Sequence, residues 1–110
     1  MADNRMVYVR GAGLTETAKT MLKRIAASFR MNESETLRRL IADDADAARN
    51  KEKALVMMQD SGVKTKTCCF RFAEDVMKNL MDLCDYYNSN TEDVIRHLIL
   101  DYYSDHWTEI

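Results

Sequence analysis

Thr67, Cys69 and Arg71 alternate with Cys68, Phe70 and Phe72, and Lys64 and Lys66 stand just before them. From Ser61 to Phe72 the basic residues are Lys64, Lys66 and Arg71 with no acid, a local charge of +3. Arg5 and Arg10 likewise lie in an acid-free stretch from Arg5 to Leu14. Such segments suit a polyanion. The chain as a whole carries −2, however, so nucleic-acid chemistry depends on where the charges sit and not on their sum. Glu92 to Ile110 has the opposite sign, −4.

Other chemistry has less support. Adjacent cysteines on a strand point to opposite faces, so Cys68 and Cys69 do not converge on a metal, and Cys84 falls on an apolar stripe. An odd cysteine count without CxxC spacing suits a reducing compartment. His97 and His106 lack a nucleophile–carboxylate arrangement and read as ordinary surface or interface residues. Gly11-Ala12-Gly13 lacks the surroundings of a nucleotide loop and reads as a turn or bulge. Tyr102, Tyr103 and Trp107 suit packing or a protein contact. No catalytic residue, metal or cofactor is expected, and the chain does not read as an enzyme.

The elements that position the basic segments follow from composition and spacing. The 110 residues are 46% hydrophobic, enough for one domain over 1–110, and zero prolines with three glycines favour helices. The longest uncharged apolar run is about five residues, against about 20 for a membrane helix. The N-terminus shows no apolar leader core, so a cytoplasmic protein is expected.

Setting residue n against n+58 gives seven identities: Glu16/Glu74, Leu22/Leu80, Asn32/Asn90, Arg38/Arg96, Leu40/Leu98, Ile41/Ile99 and Asp43/Asp101. The pattern outweighs the number. Ala18, Leu22, Ile25, Ala26 and Phe29 have the spacing of an amphipathic helix, and Val76, Leu80, Leu83, Cys84 and Tyr87 repeat it. Asn32 and Asn90 then read as N-caps, with Glu35 and Asp93 three residues on as in a capping box. Second helices follow, marked by Leu37, Leu40 and Ile41, and by Ile95, Leu98, Ile99 and Tyr102.

Strands are expected before each first helix, at Met6 to Arg10 and Thr65 to Phe72. The chain therefore reads as a mainly α protein with a short two-stranded antiparallel ribbon, in the order β-α-α-linker-β-α-α. The first repeat spans 5–48, the linker 49–63 and the second repeat 64–107. A straight helix from Ser34 to Asp60 would run about 40 Å, so a break is expected near Arg49 to Lys51. A short helix docked by Leu55 and Met58 and ended at Ser61-Gly62 should follow.

This pattern resembles the ribbon-helix-helix (Arc/MetJ/CopG) superfamily of DNA-binding proteins. The match is best at Thr67-Cys-Cys-Phe-Arg-Phe72, Val76, Leu80, Cys84, Asn88-x-Asn90 and Val94-Ile95, although Asn88 and Asn90 replace residues of the family's usual turn. Two copies in one chain resemble the TraY-type proteins of conjugative plasmids. A unit of about 40 residues buries too little apolar surface to stand alone. Pairing the two strands makes a ribbon narrow enough for the major groove.

The resemblance implies base contacts from Thr67, Cys69 and Arg71, with Arg71 bidentate to guanine. In the first strand, strict register from Leu14 would bury Arg10 and expose Val7 and Val9. A bulge at Gly11 to Gly13, with a left-handed glycine, instead leaves Tyr8 and Arg10 outward as base contacts. Arg5, Lys64 and Lys66 would reach phosphates, as would the second-helix N-termini at Asn32, Glu33 and Ser34 and at Asn90, Thr91 and Glu92. Glu33, Glu35, Glu92 and Asp93 would repel phosphate there.

The implied function is sequence-specific binding of double-stranded DNA, with transcriptional repression as the leading role and cooperative self-association on DNA through the helices or the aromatic C-terminal segment. The alternatives are a relaxosome accessory protein at a plasmid transfer origin, or a protein-interaction or inhibitor module that has lost DNA binding.

Overall fold

The computed structural model describes residues 7–50 and 64–106. Strand β1 (Val7–Thr15) is followed by helices α1 (Glu16–Phe29) and α2 (Glu33–Arg49). Strand β2 (Lys64–Ala73) is followed by α3 (Glu74–Tyr87) and α4 (Thr91–His106). The molecule is mainly helical, with one small two-stranded antiparallel sheet. Helix α2 ends at Arg49, where the break is expected. The expected linker helix at Leu55 and Met58 lies outside the described residues, as do Arg5 and Trp107.

The local sequence explains the boundaries. Thr15 starts α1 by accepting the Ala18 N–H on its hydroxyl at 3.0 Å. The apolar stripe continues to Phe29, and Arg30 then turns left-handed at φ 58°. The Met31 N–H reaches back to the Ala26 carbonyl at 3.0 Å, satisfying an acceptor the helix leaves open. Asn88 does the same after α3 at φ 54°, with the Ser89 N–H on the Cys84 carbonyl at 2.9 Å. Asn32 opens α2 with a complete capping box: its side chain accepts from the Glu35 N–H at 2.8 Å, and Glu35 accepts from the Asn32 N–H. Asn90 accepts from the Asp93 N–H at 2.8 Å in the corresponding place.

The core lies between the ribbon and the four helices. Ala12, Leu14, Phe70 and Phe72 supply the ribbon's share, and Leu22, Ile25, Leu37, Ile41, Leu80, Leu83, Ile95 and Ile99 the helices'. The expected stripes are buried at Ala18, Leu22, Ile25 and Ala26 and at Leu80, Leu83, Cys84 and Tyr87; Phe29 and Val76 are only half-buried, and Met77 takes the inward place beside Val76. The helices interleave. Arg24 of α1 donates to the Tyr103 hydroxyl of α4 at 2.6 Å, and Tyr87 of α3 donates to Asp44 of α2 at 2.9 Å. Every residue from Val94 to Leu100 is buried. His97 is therefore a core residue, 2% exposed, and not the surface or interface residue expected; its Nε2 lies 3.3 Å from the Tyr87 hydroxyl.

The first strand departs from expectation in length and register. It runs unbroken through Gly11 to Gly13, and the shift in pairing falls between Leu14 and Thr15. No described glycine has positive φ, so the expected bulge is absent. Opposed residues of an antiparallel pair share a face. Tyr8 pairs with Phe72 and Arg10 with Phe70, both phenylalanines buried, so Tyr8 and Arg10 occupy core-side strand positions. Ala12 and Leu14, both fully buried, fix this parity. Without a bulge the pairing carries back unbroken to Arg10, opposite Phe70.

Candidate nucleic-acid interface

The register sorts the ribbon into two faces. Cys68 is half-buried and Phe70 and Phe72 are buried, whereas Cys69 and Arg71 are exposed. Thr67 holds the same strand parity as Cys69 and Arg71. Across the ladder stand Gly13 opposite Thr67, Gly11 opposite Cys69 and Val9 opposite Arg71. The three second-strand candidates thus share the outward face. In the ladder Tyr8 and Arg10 stand opposite Phe72 and Phe70, whereas Val9, Gly11 and Gly13 stand opposite Arg71, Cys69 and Thr67. Lys64 and Lys66 lie at the start of β2.

Two arginines brace this ribbon from the helices. Arg38 of α2 donates to the Arg71 carbonyl at 3.1 Å. Arg96 of α4 donates to the Gly13 carbonyl at 2.7 Å. Each helix reaches the strand that precedes the other pair of helices. Arg96 is also paired with Glu92 and Asp93, and Glu92 accepts the Gly13 N–H at 2.5 Å. Gly13 has no side chain to keep these two groups off its backbone, which gives the glycine a role without a left-handed turn.

An open groove separates β2 from α1 and the start of α2. Lys19, Lys23, Arg38 and Arg71 line it, with Asn32, Glu33 and Ser34 at its helix end. Lys19 pairs with Glu33 at 2.5 Å. Burial alone would lower the Lys19 pKa, but hydrogen bonding and charge from Glu33 and Cys68 outweigh it and hold the ammonium above its ordinary value. Glu33 is therefore neutralised by a neighbour. The Asn32 and Asn90 side chains are committed to capping, so any anion they help to bind meets backbone N–H groups. Among the described residues nothing accepts from the Glu33 and Ser34 N–H groups. At the α4 start, Thr91 is half-buried and Glu92 is turned onto the ribbon.

Lys19, Lys23, Arg38 and Arg96 were not singled out as site residues from sequence. Two signals were available. Arg38 and Arg96 are identical across the repeat offset, and Lys19 and Lys23 are one helical turn apart on the same face. Among the described residues no group of three or more His, Cys, Asp or Glu side chains could hold a metal, and no helix is long and apolar enough to cross a membrane. Comparison of the chain with protein-family models, curated proteins and solved structures found no match.

Proposed function

We propose that the chain is a tandem ribbon-helix-helix protein that binds double-stranded DNA, its ribbon entering the major groove, and that it represses transcription by occluding a promoter. Three features support the tandem architecture. Helices α3 and α4 start at the same offset from α1 and α2 that relates the sequence identities. The middle rung of the ladder joins Gly11 to Cys69, residues separated by that offset. Arg38–Arg71 and Arg96–Gly13 are the same contact made twice, with the halves exchanged. A ladder centred on equivalent residues has a local two-fold axis through its middle, the arrangement by which identical subunits form an isologous pair.

Arg71 carries the DNA reading. It is exposed on the outward face, has no acidic partner among the described residues, and its backbone is held by Arg38. A two-stranded ribbon fits a major groove about 12 Å wide, and a guanidinium there can bond guanine O6 and N7 together. Val9, Gly11 and Gly13 offer no side-chain donor, so hydrogen-bonded readout falls to Thr67 and Arg71, with Cys69 between them. A role at a plasmid transfer origin would use the same module.

Titration of binding to random duplex DNA against salt tests the reading, because each phosphate contact makes affinity fall with salt. Steep loss with salt is expected. No binding at low salt would favour the protein-interaction module, for which the net charge of −2 and the position of Glu92 argue.

A further inference from the structure

The two flanks of the ribbon differ in charge. On the α1–α2 flank Lys23 is exposed without an acidic partner among the described residues, and Lys19, Arg38 and Arg71 line the same groove. At the repeat offset, Met77 and Met81 stand in place of Lys19 and Lys23, and Met81 is exposed. Glu92 stands in place of Ser34, and its carboxylate already occupies the ribbon N–H of Gly13. Arg96, the counterpart of Arg38, is enclosed by Glu92 and Asp93 and only 7% exposed. One flank thus offers the exposed Lys23, with Lys19 paired to Glu33 and Arg38 beside Glu35, and backbone N–H groups that no described residue accepts from. The other presents a carboxylate and apolar side chains.

We infer that the protein grips duplex DNA from one side, holding the phosphates of a single strand in the Lys19–Lys23–Arg38 groove while Glu92 excludes phosphate from the α4 flank. The inference rests on the DNA-binding reading above and adds a direction to it. Arg71 and the basic groove lie on the same side of the ribbon's centre, so base readout and backbone grip combine to fix one orientation on the duplex. The local two-fold axis of the ribbon is broken electrostatically.

The test compares salt slopes on one random-sequence duplex for the wild type, Lys23→Met, Lys78→Met and the double variant Met81→Lys/Glu92→Ser, each checked for native circular dichroism. Lys78 is exposed on α3, outside the groove, and serves as the charge control. Each phosphate contact contributes about 0.9 to the slope. The expected result is a slope about 1 smaller for Lys23→Met, no change for Lys78→Met, and a slope about 1 larger for the double variant. Equal losses from Lys23→Met and Lys78→Met, in a wild type that binds, would overturn the one-sided grip and leave DNA binding standing. An unchanged slope in the double variant would overturn the role given to Glu92. Absence of wild-type binding at low salt would overturn DNA binding and the grip together.

Discussion

The Arg38 guanidinium donates to the Arg71 carbonyl at 3.1 Å, tying the second helix of one half to the strand of the other. Arg96 makes the reciprocal contact to Gly13 at 2.7 Å. Arg38 and Arg96, identical at the 58-residue offset, thus make corresponding contacts, each to the strand that precedes the other pair of helices. Among the described residues neither strand is braced by the second helix that follows it, so the ribbon and the helix pairing should be lost together.

The two braces should not be equally costly to remove. Arg96 is 7% exposed and holds Glu92, Asp93 and the Gly13 carbonyl at once, whereas Arg38 is half-buried beside the exposed Glu35. Removing a buried charged partner leaves acceptors unsatisfied. Arg96→Met should cost about 1.5–3 kcal/mol in urea denaturation, and Arg38→Met about 1 kcal/mol or less. The reverse order would contradict the reading of Arg96 as the buried brace.

Under the proposed DNA-binding function, Arg38→Met should nevertheless weaken binding more than its small stability loss suggests, because it frees the backbone that carries Arg71. Arg71→Ala should cost about 1–3 kcal/mol at one base position and little elsewhere. Binding to a panel of single-base variants of a selected duplex measures this. A uniform loss across the panel would make Arg71 a phosphate contact.

Element order and the buried stripes were readable because helical spacing is strong over fourteen residues and was stated twice. The capping box at Asn32 and Glu35 was readable for the same local reason. The face of the first strand was not. Val7 to Arg10 alternate apolar and polar, and local burial cost favours Arg10 outward. The pairing of Tyr8 with Phe72 and Arg10 with Phe70 is a nonlocal relationship that such local alternation does not carry. The burial of His97 was not readable because α4 is buried on every side over Val94 to Leu100, so a polar residue off the apolar stripe still lies in the core.

The register itself can be checked chemically. Gly11 stands opposite Cys69 in the middle rung, and opposed Cβ atoms in an antiparallel pair lie about 4.5–5.5 Å apart. Gly11→Cys should form an intramolecular disulfide with Cys69 on mild oxidation, and Cys69→Ser should abolish it. Peptide mapping that found residue 11 joined to Cys68 would place the ladder one residue out.

The buried polar link between Tyr87, Asp44 and His97 predicts a pH dependence with a definite sign. Burial first, and then the Asp44 hydrogen bond and charge, push the Tyr87 phenol well above its ordinary value of 10.0. The folded state thus keeps the proton after the unfolded chain has lost it. The stability this supplies is complete below about pH 10 and is lost as pH rises from there toward the folded-state value. Tyr87→Phe should flatten the alkaline side of the stability profile relative to wild type. It should also cost about 1–3 kcal/mol near neutrality, because Asp44, 8% exposed, loses a donor. Comparing the two proteins cancels the alkaline contributions of Lys19 and of Cys84, whose thiol is raised mainly by burial. The corresponding position in the other half holds Phe29, with the Tyr102 ring edge-on at 5.4 Å and the Arg39 guanidinium 4.6 Å from its centroid. That end has no phenol in the Tyr87 position, so an alkaline profile unchanged by Tyr87→Phe would place the titrating group elsewhere and remove the reason given for it here.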